Sequence, residues 1–138
     1  MRAPAPGARG FTLVEVATVL AIAGVLAAAA WPSWREQLLR GRRVEATVAL
    51  QRLQLAQAGH HDRFGQYAQR LEQLAGGPGA LSDGGHYRIA LVADGGEGYR
   101  ALAIAQGGQA GDRGCAEIEL RVQGAVSAQL PSAQCWLP

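Results

Sequence analysis

Gly10-Phe11-Thr12-Leu13-Val14-Glu15-Val16 leads straight into Ala17-Thr18-Val19-Leu20-Ala21-Ile22-Ala23-Gly24-Val25-Leu26-Ala27-Ala28-Ala29-Ala30-Trp31-Pro32-Ser33-Trp34, and the only charge in the stretch is Glu15. From Val16 to Trp34 nineteen consecutive residues are uncharged. As a helix rising 1.5 Å per residue they extend about 28 Å, close to the hydrocarbon thickness of a bilayer. A run of this length and composition can span. A carboxylate at its edge is costly in lipid, roughly 2.5–3.5 kcal/mol at a helix centre on insertion scales, and calls for a partner. Glu15 is therefore the first functional candidate.

Two ordinary readings compete. In an export signal, Arg2 and Arg9 would be the basic region, Phe11 to Val25 the apolar region and Ala27 to Ala30 a small-residue cleavage site; a glutamate inside the apolar region argues against it. A plain membrane anchor with an incidental glutamate leaves the rest of the chain unexplained. After a short basic leader, Gly10-Phe11-Thr12-Leu13-Val14-Glu15 resembles the class III signal of type IV pilins and pseudopilins. The resemblance implies a prepilin peptidase that cuts between Gly10 and Phe11 and methylates the new N-terminus at Phe11. Glu15 then takes a role in assembly, its carboxylate meeting the terminal amine of a neighbouring subunit to set axial register. The chain divides into a leader (1–10), a transmembrane and filament-core helix (11–34) and a periplasmic globular domain (35–138).

About one hundred residues remain after the membrane segment, enough for one small domain with a modest core. All thirteen basic residues are arginine, and without Arg2 and Arg9 the remaining eleven balance eleven acids. Four arginines follow the apolar run (Arg35, Arg40, Arg42, Arg43), so positive-inside counting alone would put the C-terminal side in the cytoplasm. The cysteines and the leader point the other way. Cys115 and Cys135 are expected on the exported side, where a disulfide persists and would add roughly 3 kcal/mol; two free thiols are the alternative.

Pro32 cannot donate to the carbonyl of Ala28, and with Gly24 upstream it marks the weakest part of the long helix, where a break or local melting is expected. Related pilins carry a proline at the matching place. The helical pattern continues to His61 or Phe64. At 100° per residue Leu39, Ala46, Leu50, Leu53 and Phe64 share one stripe, expected to pack on a sheet, while Val44, Val48 and Leu55 form a nearly opposite stripe for contact with other subunits. Gln69 to Ala75 reads as a short extra turn before the breaker Gly76-Gly77-Pro78-Gly79.

Alternating runs follow: His86–Ala93 with Tyr87, Ile89 and Leu91 on one side, Tyr99–Ala105 with Leu102 and Ile104 beside Arg100, and Cys115–Val122 with Ile118, Leu120 and Val122 inward. Asp94-Gly95-Gly96-Glu97-Gly98 and Gln123-Gly124 are the turns, and Ala125–Gln129 is a short fourth strand. The fold expected is α+β, a pilin fold: one long N-terminal helix, its first half membrane-spanning, packed on a four-stranded antiparallel sheet with a C-terminal loop tied by Cys115 and Cys135. The aromatic-glycine-tyrosine exit, the 107–112 segment and the Cys-Trp ending resemble PilE-like minor pilins.

No catalytic constellation is present, and no cofactor or metal is expected. His60 and His61 are adjacent and point about 100° apart on a helix, and His86 is remote. The glycine pairs lack the lysine of a phosphate loop. From Gly76 onward four arginines face six acids, so there is no bulk footprint for nucleic acid; a local patch of Arg88, Arg100 and Arg113 is the candidate DNA contact. The resemblance implies a non-enzymatic minor subunit of a type IV pilus, its partners being the prepilin peptidase, other pilins and an inner-membrane assembly platform. It would lie in the bacterial inner membrane before reaching the cell surface. A type II secretion pseudopilin and a DNA-receptor minor pilin are the alternatives.

Overall fold

The computed structural model describes residues 10–137; residues 1–9, including Arg2 and Arg9 of the expected leader, and Pro138 lie outside the described residues. Helix α1 runs Leu13–Phe64 and contributes to two units, Met1–Arg35 and Glu36–Pro138. In the first unit the helix carries an apolar stretch of mean hydropathy 2.3 with nothing buried, long and apolar enough to cross a membrane. Its few hydroxyls turn back onto the backbone, Thr18 donating to the Val14 carbonyl at 2.8 Å and Ser33 to that of Ala30 at 3.0 Å. That is the arrangement a water-free surrounding demands. α1 is helical across both Gly24 and Pro32, without local melting at either. Proline removes one bond of the ladder, and the turns on either side keep theirs.

In the second unit α1 is followed by a 3-10 turn at Leu71–Gln73 and an antiparallel meander of β1 (Tyr87–Asp94), β2 (Gly98–Ala105), β3 (Glu117–Gln123) and β4 (Val126–Leu130), in the order β1-β2-β3-β4. A second 3-10 turn, Gly107–Gly111, separates β2 from β3, and α2 (Ala133–Trp136) ends the described chain. Gly95 and Gly96 take positive φ in the β1–β2 turn, the conformation only glycine adopts without a Cβ penalty. Gly98 is needed for a different reason: a Cβ there would lie 2.7 Å from the Val122 carbonyl.

Ala46, Ala49, Leu50 and Leu53 of α1 join Tyr87, Ile89, Ile118, Leu120 and Val122 in one buried cluster. On β2 the inward residues are Tyr99, Ala101, Ala103 and Ala105, leaving Leu102 and Ile104 on the open face with Arg100. The central strand presents its small side chains where larger neighbours converge, since Ala101 lies opposite Leu91 and Leu120, and Ala103 opposite Ile89 and Ile118. Alternating large and small residues across facing positions fill the layer without voids. Phe64 departs from expectation. It shares the angular stripe of Leu50 and Leu53 but is 65% exposed, because the helix ends there and the chain turns away at Gly65, leaving the ring tilted against His60 at 4.6 Å.

Three polar ties from α1 hold the loops. Gln57, wholly buried, donates to the Ala68 carbonyl at 2.9 Å and accepts from the Ala68 N–H at 2.8 Å, satisfying both groups of a buried backbone unit. Glu45 accepts from Ser82 Oγ (2.9 Å), the Gly84 N–H (3.1 Å) and His86 Nδ1 (2.8 Å). Burial pushes the Glu45 carboxyl up, but the bonds from Ser82 and His86 outweigh it and hold the group below its ordinary value. Arg43 grips Asp112 with two bonds of 2.7 Å and donates to the Gln134 carbonyl at 3.1 Å. Its bond to Asp112 raises the pKa of its guanidinium against the opposing effect of burial. Cys115 and Cys135 are joined in a disulfide that closes the chain's end onto the start of β3, so the free-thiol alternative is removed.

Candidate functional site

At the N-terminus Gly10, Phe11 and Thr12 precede the helix, and Phe11 is 82% exposed. Thr12 Oγ1 accepts the Glu15 N–H at 3.3 Å and the Thr12 carbonyl accepts the Val16 N–H at 3.2 Å. Thr12 is thus the cap of α1, and Glu15 stands three residues on, in the first turn, where a carboxylate opposes the positive end of the helix dipole. The Thr-x-x-Glu spacing was the available signal for this cap. Glu15 has no ion-pair partner among the described residues.

On the outer side of α1 the stripe set apart by periodicity is open. Leu55 is 76% and Val44 41% exposed, while Val48 is half-buried. Leu55 and Phe64 border an open groove of about 370 Å³ that also receives Arg52, His60 and Arg63. Periodicity alone assigned Phe64 to the core and so missed it here.

The open face of the sheet carries Arg88, Arg100 and Arg121 among Asp94, Glu117 and Glu119, three charges of each sign. Arg88 stands opposite Ile104 and Arg100 opposite Val92, so the two lie four residues apart along the sheet, roughly 13 Å. Arg113 lies exposed in the loop before β3. What the register does bring together is Arg100 directly opposite Arg121, an unfavourable like-charge pair. Arg121 is relieved by Glu119 at 2.9 Å. Only strand register reveals this apposition.

The histidines serve locally: His60 Nδ1 donates to the Gln66 carbonyl at 3.0 Å, His61 packs on Tyr67 at 4.6 Å and His86 binds Glu45. No group of three metal-ligating side chains occurs among the described residues.

Comparison with known proteins finds matches at both the start and the body of the chain. Residues 6–31 match the prokaryotic N-terminal methylation motif. Residues 32–119, more than half of the chain, match the family described as type IV minor pilin ComP, DNA uptake sequence receptor. The type IV major pilin protein PilA of Myxococcus xanthus (strain DK1622) is 38% identical over 69 residues, 48% of this chain and 31% of that relative, so the match covers about a third of the relative's length. With a long apolar-headed helix, a four-stranded antiparallel meander and a C-terminal disulfide already in place, the chain belongs to the ComP family of type IV minor pilins.

Proposed function

We propose that this minor pilin is cut between Gly10 and Phe11 by a prepilin peptidase and methylated at Phe11. Residues 11–34 hold it in the bacterial inner membrane with residues 35–138 in the periplasm. An inner-membrane assembly platform then draws it into a filament of other pilins. The observation that carries this reading is the junction itself: Gly10–Phe11 lies ahead of the first helical residue, and Glu15 occupies the first turn of a helix whose apolar stretch has nothing buried. After cleavage an amine at Phe11 and a carboxylate at Glu15 both stand at an apolar edge. Pairing between the amine of one subunit and Glu15 of the next sets axial register in a low dielectric. Val44, Val48 and Leu55 supply the apolar contact farther along, and the segment from Gly24 to Pro32 is where the helix yields on packing.

Glu15→Leu tests the register. The variant should be processed and membrane-bound yet depleted in sheared pili relative to the inner membrane. Normal incorporation would show that the axial register of this subunit does not depend on the Glu15 carboxylate.

A second reading, DNA capture, is favoured by the description of the matched family and by the Arg100–Arg121 apposition. Because the sheet face is neutral overall, any DNA contact rests on these arginines, with Arg88 and Arg113 at its margins. Duplex binding by the soluble domain should weaken with salt, and the slope of log affinity against log salt should fall by about two in Arg100→Ala/Arg121→Ala. An unchanged slope would remove these residues from the contact.

A further inference from the structure

We propose that Trp31 and Trp34 anchor the apolar helix at the headgroup boundary of the lipid bilayer and thereby set its depth, holding the Gly10–Phe11 junction and Glu15 at the opposite membrane surface. The proposal rests on the membrane-spanning reading above. The two indoles are three residues apart, so they project from α1 within about 60° of each other. They are 72% and 65% exposed. Neither indole N–H has a hydrogen-bond partner among the described residues, whereas Trp136, in the globular unit, is buried and donates to the Leu130 carbonyl at 3.0 Å. A large apolar ring with one unmet donor is poorly placed in hydrocarbon, where that N–H stays unpaired, and poorly placed in water. The headgroup layer satisfies both parts, which is why tryptophan concentrates there.

The spacing supports a gauge. Glu15 lies sixteen residues before Trp31 and nineteen before Trp34, about 24 and 28 Å along a helix, against a hydrocarbon core of about 30 Å. Pinning the indoles at one boundary therefore leaves Glu15 at the other. A slide of one turn, about 5.4 Å, would draw the carboxylate into the hydrocarbon. Ala27 to Ala30 immediately precede the pair. Their small side chains define the end of the span weakly, so the indoles, followed at once by Arg35 and Glu36, fix it.

The test uses the full chain in vesicles of phosphatidylethanolamine and phosphatidylglycerol, and in cells. Lipids brominated near the headgroup should quench tryptophan fluorescence more than lipids brominated near the chain ends. Trp31→Leu/Trp34→Leu should stay membrane-bound but be cut between Gly10 and Phe11 several-fold more slowly in a pulse-chase, and Trp31→Tyr/Trp34→Tyr should restore the rate. Stronger quenching from the chain ends, an unchanged rate in the leucine pair, or a tyrosine pair as slow as the leucine pair would each overturn the anchor. Release of the unaltered chain by alkaline carbonate would overturn the membrane-spanning reading itself, and the anchor with it.

Discussion

Separating Arg43 from Asp112 should show how α1 holds the loop that leads into Cys115. The side chains are 13% and 6% exposed and meet through two bonds of 2.7 Å. Removing one partner of a pair this buried leaves an uncompensated charge, about 3–5 kcal/mol, whereas removing both in favour of apolar residues is often close to neutral. Arg43→Leu strands the carboxylate and takes a donor from the Gln134 carbonyl. Asp112→Leu strands the guanidinium, while Gln109, whose Nε2 lies 3.3 Å from Asp112, keeps its donations to the Leu39 carbonyl at 3.0 Å and the Tyr87 hydroxyl at 2.8 Å. Against a domain stability of about 5–15 kcal/mol, either single change is severe. The double variant should be far less destabilised than the sum of the singles, with a coupling of several kcal/mol. Urea unfolding of a soluble form beginning at Glu36 measures this, because Trp136 is then the sole tryptophan and reports on the core. Singles that each cost under about 1 kcal/mol, or that simply add in the double variant, would refute the reasoning.

Two further outcomes are expected of the same soluble form. The Glu45 carboxyl is held below its ordinary value, so the stability it contributes is present above the unfolded value of about 4.3 and lost as pH falls through the lower folded one. Glu45→Gln should therefore lose less stability than the parent on acidification below about pH 4, and identical acid limbs in urea midpoints would count against the three-donor clasp. Cys115→Ser/Cys135→Ser should lose about 3 kcal/mol in the same unfolding assay, while an unreduced mass spectrum of the parent finds one internal disulfide; equal stabilities would show that the staple adds nothing.

The long helix, the meander, its turns and the cysteine pair were legible because each rests on local signals: an unbroken apolar run, alternation of period two, glycines at turns and a single pair of cysteines. The Gly-Phe junction with its lone Glu15 was legible for the same reason. Other features depended on what lies across the fold. Alternation divides β2 into two faces but does not say which is inward. Leu102 and Ile104 are the more apolar set, yet the space left by Leu91, Leu120, Ile89 and Ile118 admits only the alanines. Helical angle placed Phe64 with Leu53, and only the end of the helix removed it from the core. The ties from Gln57 to Ala68, Glu45 to the 82–86 segment and Arg43 to Asp112 join residues eleven to sixty-nine positions apart. Arg100 meets Arg121 through strand register. Local sequence determined the elements, while close packing and long-range hydrogen bonding, which depend on volumes and partners brought together only on folding, decided their faces and their fastenings.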